Sequence, residues 1–263
     1  MMQPNEVKSR LQTTFIGRTI HYFRQVASTN DIAKELAAKG AREGTVIVTE
    51  AQTHGRGRLG REWTSPKGGI YLSIILRPKI SPKDTPKLTL TTSVSVARAI
   101  NRLYDLKAQI KWPNDIQIHG KKVCGILTEA TTRGKNTDFV VIGIGVNANI
   151  DLTSLPKSLR GSTTSLKKEL QRKIEREQFL SALLNELESY YNAFAQEKFD
   201  SILKEWRSLC SHLGSHVKIT SFDETFEGLA VDVDENGALL VRLKDGTTRR
   251  VVSGDVTASK PIK

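Results

Sequence analysis

The sequence predicts an α+β fold, in which a central mixed β-sheet flanked by helices is followed by a small C-terminal β-barrel. Three observations carry this. Apolar runs of strand length cluster between residues 45 and 147, and the last four follow one another with turns too short to hold a helix. Amphipathic helical patterns stand before, within and after that series. After Gly214 the texture changes to short strands, VKIT, FEGLAVDVD, ALLVRL and RRVVSGDV, with Asn236-Gly237 and Asp245-Gly246 as hairpin turns. The expected division is therefore a main unit over residues 1–213 and a small one over 214–263.

Taken in order, Ser28-Thr29-Asn30-Asp31 precedes IAKELAAKGA, whose apolar residues at 32, 33, 36 and 37 and trailing Gly40 predict a capped amphipathic helix. The TVIVT stretch at 45–49 predicts a buried strand, and IYLSIIL at 70–76 another. The roughly 51–69 loop between them, rich in Gly and Arg, is long for a compact domain, and loops of that length are usually functional. Thr85-Pro86 opens a helix to about Leu106, because Pro suits the first helical turn. Strands are expected at 108–111, 115–119, 122–130 and 139–147, divided by Trp112-Pro113-Asn114, Gly120-Lys121 and the polar RGKNT turn. Their direct succession favours mixed or antiparallel pairing over strict βαβ alternation. A basic connector at 151–177 surrounds a short helix at 163–169, and helices follow at 179–195 and 199–210.

The composition, 38% hydrophobic and 26% charged over 263 residues, supplies a core and excludes disorder, collagen and a membrane span. Two cysteines, Cys124 and Cys210, leave no disulfide framework or four-thiolate zinc site. The start MMQPNEVKSR lacks a signal peptide's apolar core, so the expected compartment is a reducing cytoplasm. The net charge of +12 invites a nucleic-acid reading. Its distribution argues otherwise: residues 1–213 hold 33 basic and 20 acidic side chains, whereas the tail holds 7 and 8.

Three clusters could carry chemistry. In Gly55-Arg56-Gly57-Arg58-Leu59-Gly60-Arg61, glycine lets backbone approach a ligand and guanidinium forks suit phosphate or carboxylate, while Trp63 could stack on a flat ring. It is not a Walker A loop, and Gly143-Ile144-Gly145-Val146-Asn147 is not a dinucleotide fingerprint, since the third glycine is missing. Lys111-Trp112-Pro113-Asn114-Asp115 reads equally as a phosphate and metal site or as a tight turn with Trp112 in the core. In Lys121-Lys122-Val123-Cys124-Gly125, a lysine enters an apolar strand, and Cys124 reads as a small buried hydrophobe.

These residues together resemble the biotin protein ligase family, of the biotin–[acetyl-CoA-carboxylase] synthetase type. Ser28-Thr29-Asn30, Gln52-Thr53 leading into GRGRLGR with Trp63, then KWPND, KVCGIL and GIGVN, occur in that order across nearly the whole chain. The resemblance implies a class II synthetase-like catalytic domain with an SH3-like C-terminal barrel. It implies formation of biotinyl-5'-adenylate from biotin and ATP with Mg2+, then transfer to a lysine of a biotin carboxyl carrier protein. By the same resemblance Ser28, Thr29, Asn30, Gln52, Gly55, Arg56, Lys122 and Gly125 would bind biotin. Arg58, Arg61, Trp63, Lys111 and Asn147 would bind ATP, with Lys122, Arg58 and Lys111 as the catalytic cations and Asp115 as a metal ligand.

The loop is expected to close over the reactive adenylate. Only 27 residues precede Ser28, too few for the DNA-binding domain some members carry, so ligation without repression and no DNA partner is expected. A homodimer is expected by analogy alone, and the basic stretch between Lys157 and Arg176 is read as a docking face for an acidic carrier. Against this stand a lipoate or octanoyl ligase, whose Arg-Arg and Gly-rich His-Asp stretch is missing here, and an RNA-binding protein, which the near-neutral tail disfavours.

Overall fold

The computed structural model describes residues 1–221 and 224–259, so the last four residues of the expected 214–263 unit lie outside the described residues. In chain order the elements are α1 (Pro4–Ser9), β1 (Ile20–Phe23), α2 (Thr29–Ala38), β2 (Val46–Thr49), β3 (Ile70–Leu76) and α3 (Thr85–Tyr104). The hairpin series follows as β4 (Gln109–Lys111), β5 (Asp115–Ile118), β6 (Lys121–Arg133) and β7 (Asn136–Val146). Then come α4 (Lys157–Arg160), α5 (Leu166–Leu170), α6 (Arg176–Ala195) and α7 (Phe199–Leu209). The chain ends in β8 (His216–Thr220), β9 (Thr225–Val233), β10 (Leu239–Arg242), β11 (Thr248–Val251) and β12 (Asp255–Ala258).

The first seven strands form one sheet in the order β1-β2-β3-β7-β6-β5-β4, parallel only between β1 and β2. It is a mixed sheet, as expected from strands joined by hairpins. Side chains alternate across it. Val46, Val48, Leu72, Ile74, Ile142 and Ile144 point into the large core with α3, α6 and α7, whereas Ile47, Ile75, Val141 and Phe139 meet Ala33 and Ala37 of α2 on the other face. Polar residues survive inside α3 because their hydroxyls bond back along the helix: Thr91 to Lys87 O at 2.8 Å, Thr92 to Leu88 O at 2.7 Å and Ser95 to Thr91 O at 3.0 Å.

The tail forms a second, antiparallel sheet in the order β11-β10-β9-β8-β12. Gly237 and Gly246 take φ of +86° and +84° in the two hairpin turns that their sequences predicted. RRVVSGDV, read as one strand, is two: it breaks at Ser253-Gly254, where Gly254 has φ +153°, and β12 returns to pair with β8. Within the described residues β11 and β12 are the edges, so the sheet curls without a closing ladder. The two sheets share one core, and the Trp112 indole donates to Gly237 O at 3.0 Å.

Three elements had no sequence signal: every residue of β1 is only half-buried, α1 is six residues long, and α4 is a single exposed turn within the connector. The β6–β7 hairpin also extends further than its apolar residues, through Thr132↔Thr137 and Arg133↔Asn136, because a paired ladder tolerates solvent-facing polar residues. Ser28 stands at the N-cap of α2, but its side chain makes no capping bond and instead faces a cavity.

Candidate active site

On the α2 face the sheet has a bare strip. Gly125 of β6 pairs with Gly145 of β7, and Gly143 pairs with Leu127, so side chains that would fill this surface are missing. Over it lies a cavity of about 250 Å³. Its walls come from the start of α2, the 51–69 loop, the β4–β5 turn, the 155–163 connector and Asp255 of β12.

One end is neutral and polar. Gln52 Oε1 accepts from the Thr29 amide at 2.9 Å and from its hydroxyl at 3.2 Å, while Gln52 Nε2 donates to Ser65 Oγ at 2.9 Å. Ser73 Oγ lies 2.7 Å from Thr29 Oγ1 and 2.6 Å from Asn30 Oδ1, and its one proton serves one of them at a time. Asn30 Nδ2 donates to Glu129 Oε2 at 2.6 Å. Ser28, Thr29 and Asn30 are all buried, so their free lone pairs and protons face the cavity rather than bulk water.

The other end is cationic. Arg58 donates to Asn114 Oδ1 at 3.2 Å and to Ser253 Oγ at 3.1 Å, and its burial pushes the guanidinium pKa down against the pull of Asp115 and Asp255. Arg61 pairs with both carboxylate oxygens of Asp255, the longer contact being 2.9 Å, and this holds the Asp255 carboxyl below its usual range. Lys122 Nζ stands 2.7 Å from Asp115 Oδ1, near enough for an ion pair, and 5.0 Å from the Trp63 ring centroid. The indole roofs the glycine strip: a Cβ on Gly125 would lie 2.8 Å from its ring, and one on Gly145 2.5 Å from its Nε1. One cavity thus joins a neutral hydrogen-bonding end to a field of cations.

Comparison with known proteins agrees with this arrangement. Residues 22–147 match the Biotin/lipoate A/B protein ligase family, and residues 212–257 match the Biotin protein ligase C terminal domain. The chain is 36% identical to the bifunctional ligase/repressor BirA of Bacillus subtilis over 256 residues, covering 97% of this chain and 78% of that protein. The chain belongs to the biotin protein ligase family. It is 31% identical to the biotin–[acetyl-CoA-carboxylase] ligase of Mycobacterium tuberculosis over 250 residues, 91% of this chain and 88% of that one. Among solved structures it resembles the Aquifex aeolicus biotin protein ligase in complex with biotin and ATP, with a TM-score of 0.80 and 28% identity over 92% of this chain and 99% of the other.

Most of the residues that the family resemblance singled out converge on the cavity: Ser28, Thr29, Asn30, Gln52, Arg56, Arg58, Arg61, Trp63, Asp115, Lys122, Gly125 and Asn147 all line it. Two do not. Gly55 is turned into the loop itself, where a Cβ would meet Trp63 O at 2.3 Å and Ser65 Oγ at 2.8 Å; it permits the loop to fold back on Trp63. Lys111 stands on β4 opposite Asp115, beside the cavity rather than in its lining, where its charge reaches Asp255 and His212. Asn147 lines the wall with its amide donating to Thr164 O at 3.1 Å.

Asp115 lies beside Lys122, and among the described residues no three His, Cys, Asp or Glu side chains group to hold a metal ion. In the KWPND stretch Trp112 lies in the core, as the tight-turn reading expected, next to a cis Trp112–Pro113 bond, while Asn114 and Asp115 face the cavity.

The basic connector divides by role. Lys122 N donates to Ser162 O and Thr164 N to Lys122 O, at 2.8 and 2.9 Å, which brings Leu155, Leu159 and Thr163 onto the cavity wall. Arg160 is exposed and donates to Leu155 O and Thr153 O, whereas Arg176 pairs with Glu50 at 2.7 Å in the interior and is withdrawn from any docking face. Sequence reasoning missed Ser73, Glu129, Asn114 and Asp255. Ser73, the lone serine in the apolar run IYLSIIL, carried a signal; the others become site residues only through strand register and the approach of the second sheet.

Proposed function

We propose that this chain activates biotin with ATP and transfers it to a lysine of a biotin carboxyl carrier protein. The observation that carries the reading is the two-ended cavity. A ureido ring is neutral and needs donors and acceptors, which Ser28, Thr29, Asn30 and Gln52 offer. A carboxylate approaching a triphosphate needs cations, which Arg58, Arg61 and Lys122 offer at the wall and Lys111 beside it. The glycine strip carries no side chains to block a molecule that spans the two ends, and Trp63, which now rests directly on it, would have to lift to admit one.

In the first step a biotin carboxylate oxygen attacks the α-phosphorus, the bond to the β-phosphate oxygen breaks, and pyrophosphate leaves. Lys122 would hold the carboxylate oxygen, Arg58 and Arg61 the phosphate oxygens, and Trp63 and Asn147 would flank the adenine. Mg2+ carried by phosphate oxygens needs only one or two protein carboxylates, and Asp115 on the wall meets that need; the ion supplies charge neutralisation. In the second step a lysine amine attacks the acyl carbon, AMP leaves, and the amine loses its proton. The catalytic unit is taken as 1–213, with 214–263 closing the cavity's far end through Ser253 and Asp255. Biotin-dependent ATP–pyrophosphate exchange tests the reading. Exchange with lipoate or octanoate and none with biotin would overturn it.

A further inference from the structure

Glu129 does not line the cavity, yet two residues that do are fastened to it. It stands on β6 four residues beyond Gly125, on the same sheet face, opposite Val141. Its Oε2 accepts from Asn30 Nδ2 at 2.6 Å and lies 3.3 Å from Arg56 Nη2, while Oε1 meets Lys34 Nζ at 2.5 Å. Arg56 completes the group through Asp31 at 2.6 Å. Two elements of the site therefore share one carboxylate: the amide at the neutral end and the first arginine of the 51–69 loop.

We infer that Glu129 is a positioning residue that couples filling of the neutral end of the cavity to closure of the 51–69 loop. This rests on the reading of that end as the biotin-head site. The bond from Asn30 Nδ2 fixes the amide with Oδ1 toward Ser73, and a ligand seated on Asn30 holds Asn30 against Glu129. A carboxylate held in this way is kept in reach of Arg56, which pins the loop's entrance to the sheet. Burial alone would raise the Glu129 pKa, but Lys34, Asn30 and Arg56 together hold it below the usual carboxylate range, so the charge is present at neutral pH. Glutamine at 129 keeps an acceptor for Asn30 but removes the charge that Arg56 answers.

The loop reports its own closure, because Arg56, Arg58 and Arg61 are trypsin sites. With wild-type protein, saturating biotin should slow cleavage in the loop at least tenfold, read by mass spectrometry of the loop peptides. With Glu129→Gln, protection at saturating biotin should fall below twofold and KM for biotin rise about tenfold, with kcat within threefold. Lys34→Met, which removes the cation on the far side of Glu129, should keep most of the protection. Should Glu129→Gln fold poorly, Glu129→Asp, which keeps the charge but withdraws it from Arg56 by one methylene, carries the same expectation. Wild-type protection ratios in either variant would overturn the inference. Absence of biotin binding by the wild-type protein in calorimetry would instead overturn the biotin reading itself.

Discussion

Gly143→Ala is the sharpest perturbation of the neutral end. A Cβ there would lie 2.3 Å from Asn30 Oδ1 and 3.0 Å from its Cγ and Nδ2, whereas ordinary contact begins at 3.4 Å. The backbone of β7 cannot give way, because it is paired on both sides, with β3 and β6. The Asn30 amide must therefore retreat by about 1 Å, out of reach of Ser73 and Glu129, both now at 2.6 Å. Losing one neutral and one charge-assisted hydrogen bond costs about 2–4 kcal/mol, and a misplacement of that size in a binding group costs up to about a hundredfold in function.

Biotin affinity by calorimetry should fall between about tenfold and a hundredfold, and the thermal midpoint should drop by about 10 °C. Gly161→Ala is the control, since nothing lies within 4 Å of its Cβ and its φ is ordinary. If Gly143→Ala binds biotin with wild-type affinity, the Asn30 amide is not a fixed contact and the neutral end has been misread.

Four further outcomes follow from single contacts. Glu50 is buried, which alone would raise its pKa, but Arg176, the Met2 amide and Tyr22 lower it from 4.5 to about 2. Its contribution, up to about 3 kcal/mol, is complete above pH 4.5 and is lost as pH falls toward 2; Glu50→Gln should flatten the pH dependence of urea unfolding across that window. Arg58→Gly should leak biotinyl-adenylate and label bystander lysines in a mass-spectrometric assay, and full retention of the adenylate would contradict a restraining role. Trp112→Phe leaves the Gly237 carbonyl without its indole donor and should cost about 1–3 kcal/mol in urea unfolding. Burial raises the thiol pKa at Cys124 and pushes Cys210 up to about 11, so iodoacetamide at pH 8 should modify neither until the protein unfolds.

The central sheet was legible because its strands are apolar through both faces, as Ile70–Leu76 shows, and because the turns between them are short. The site was legible as a set of clusters but not as a geometry. Nothing in KWPND or GRGRLGR says that Lys111 stays out of the cavity lining while Asn114, three residues on, holds Arg58. The β4–β5 register sets Lys111 opposite Asp115, one strand further from the glycine strip, and leaves Asn114 in the turn that reaches Arg58. Glu129 was silent for a related reason. In KVCGILTEA it looks like a solvent-facing strand residue, and only the helix start at Thr29, packed across the sheet, brings Asn30 and Lys34 onto it. Contacts between elements far apart in sequence carry no local pattern.

The same reasoning sharpens what the excess positive charge means. Among the loop arginines, Arg56 is answered by Asp31 and Glu129, and Arg61 by Asp255. Arg58 differs: its hydrogen-bond partners are an amide oxygen and a hydroxyl, and it is the more deeply buried group whose pKa burial lowers. A guanidinium taken out of water without a carboxylate bonded to it is the group that gains most from an arriving anion. Arg61, by contrast, already has its charge matched by Asp255. The field at the cationic end is therefore set less by the count of arginines than by their partners. Arg58 is the loop cation with no carboxylate bonded to it, whereas the charge of Arg61 is matched by Asp255 of the second sheet.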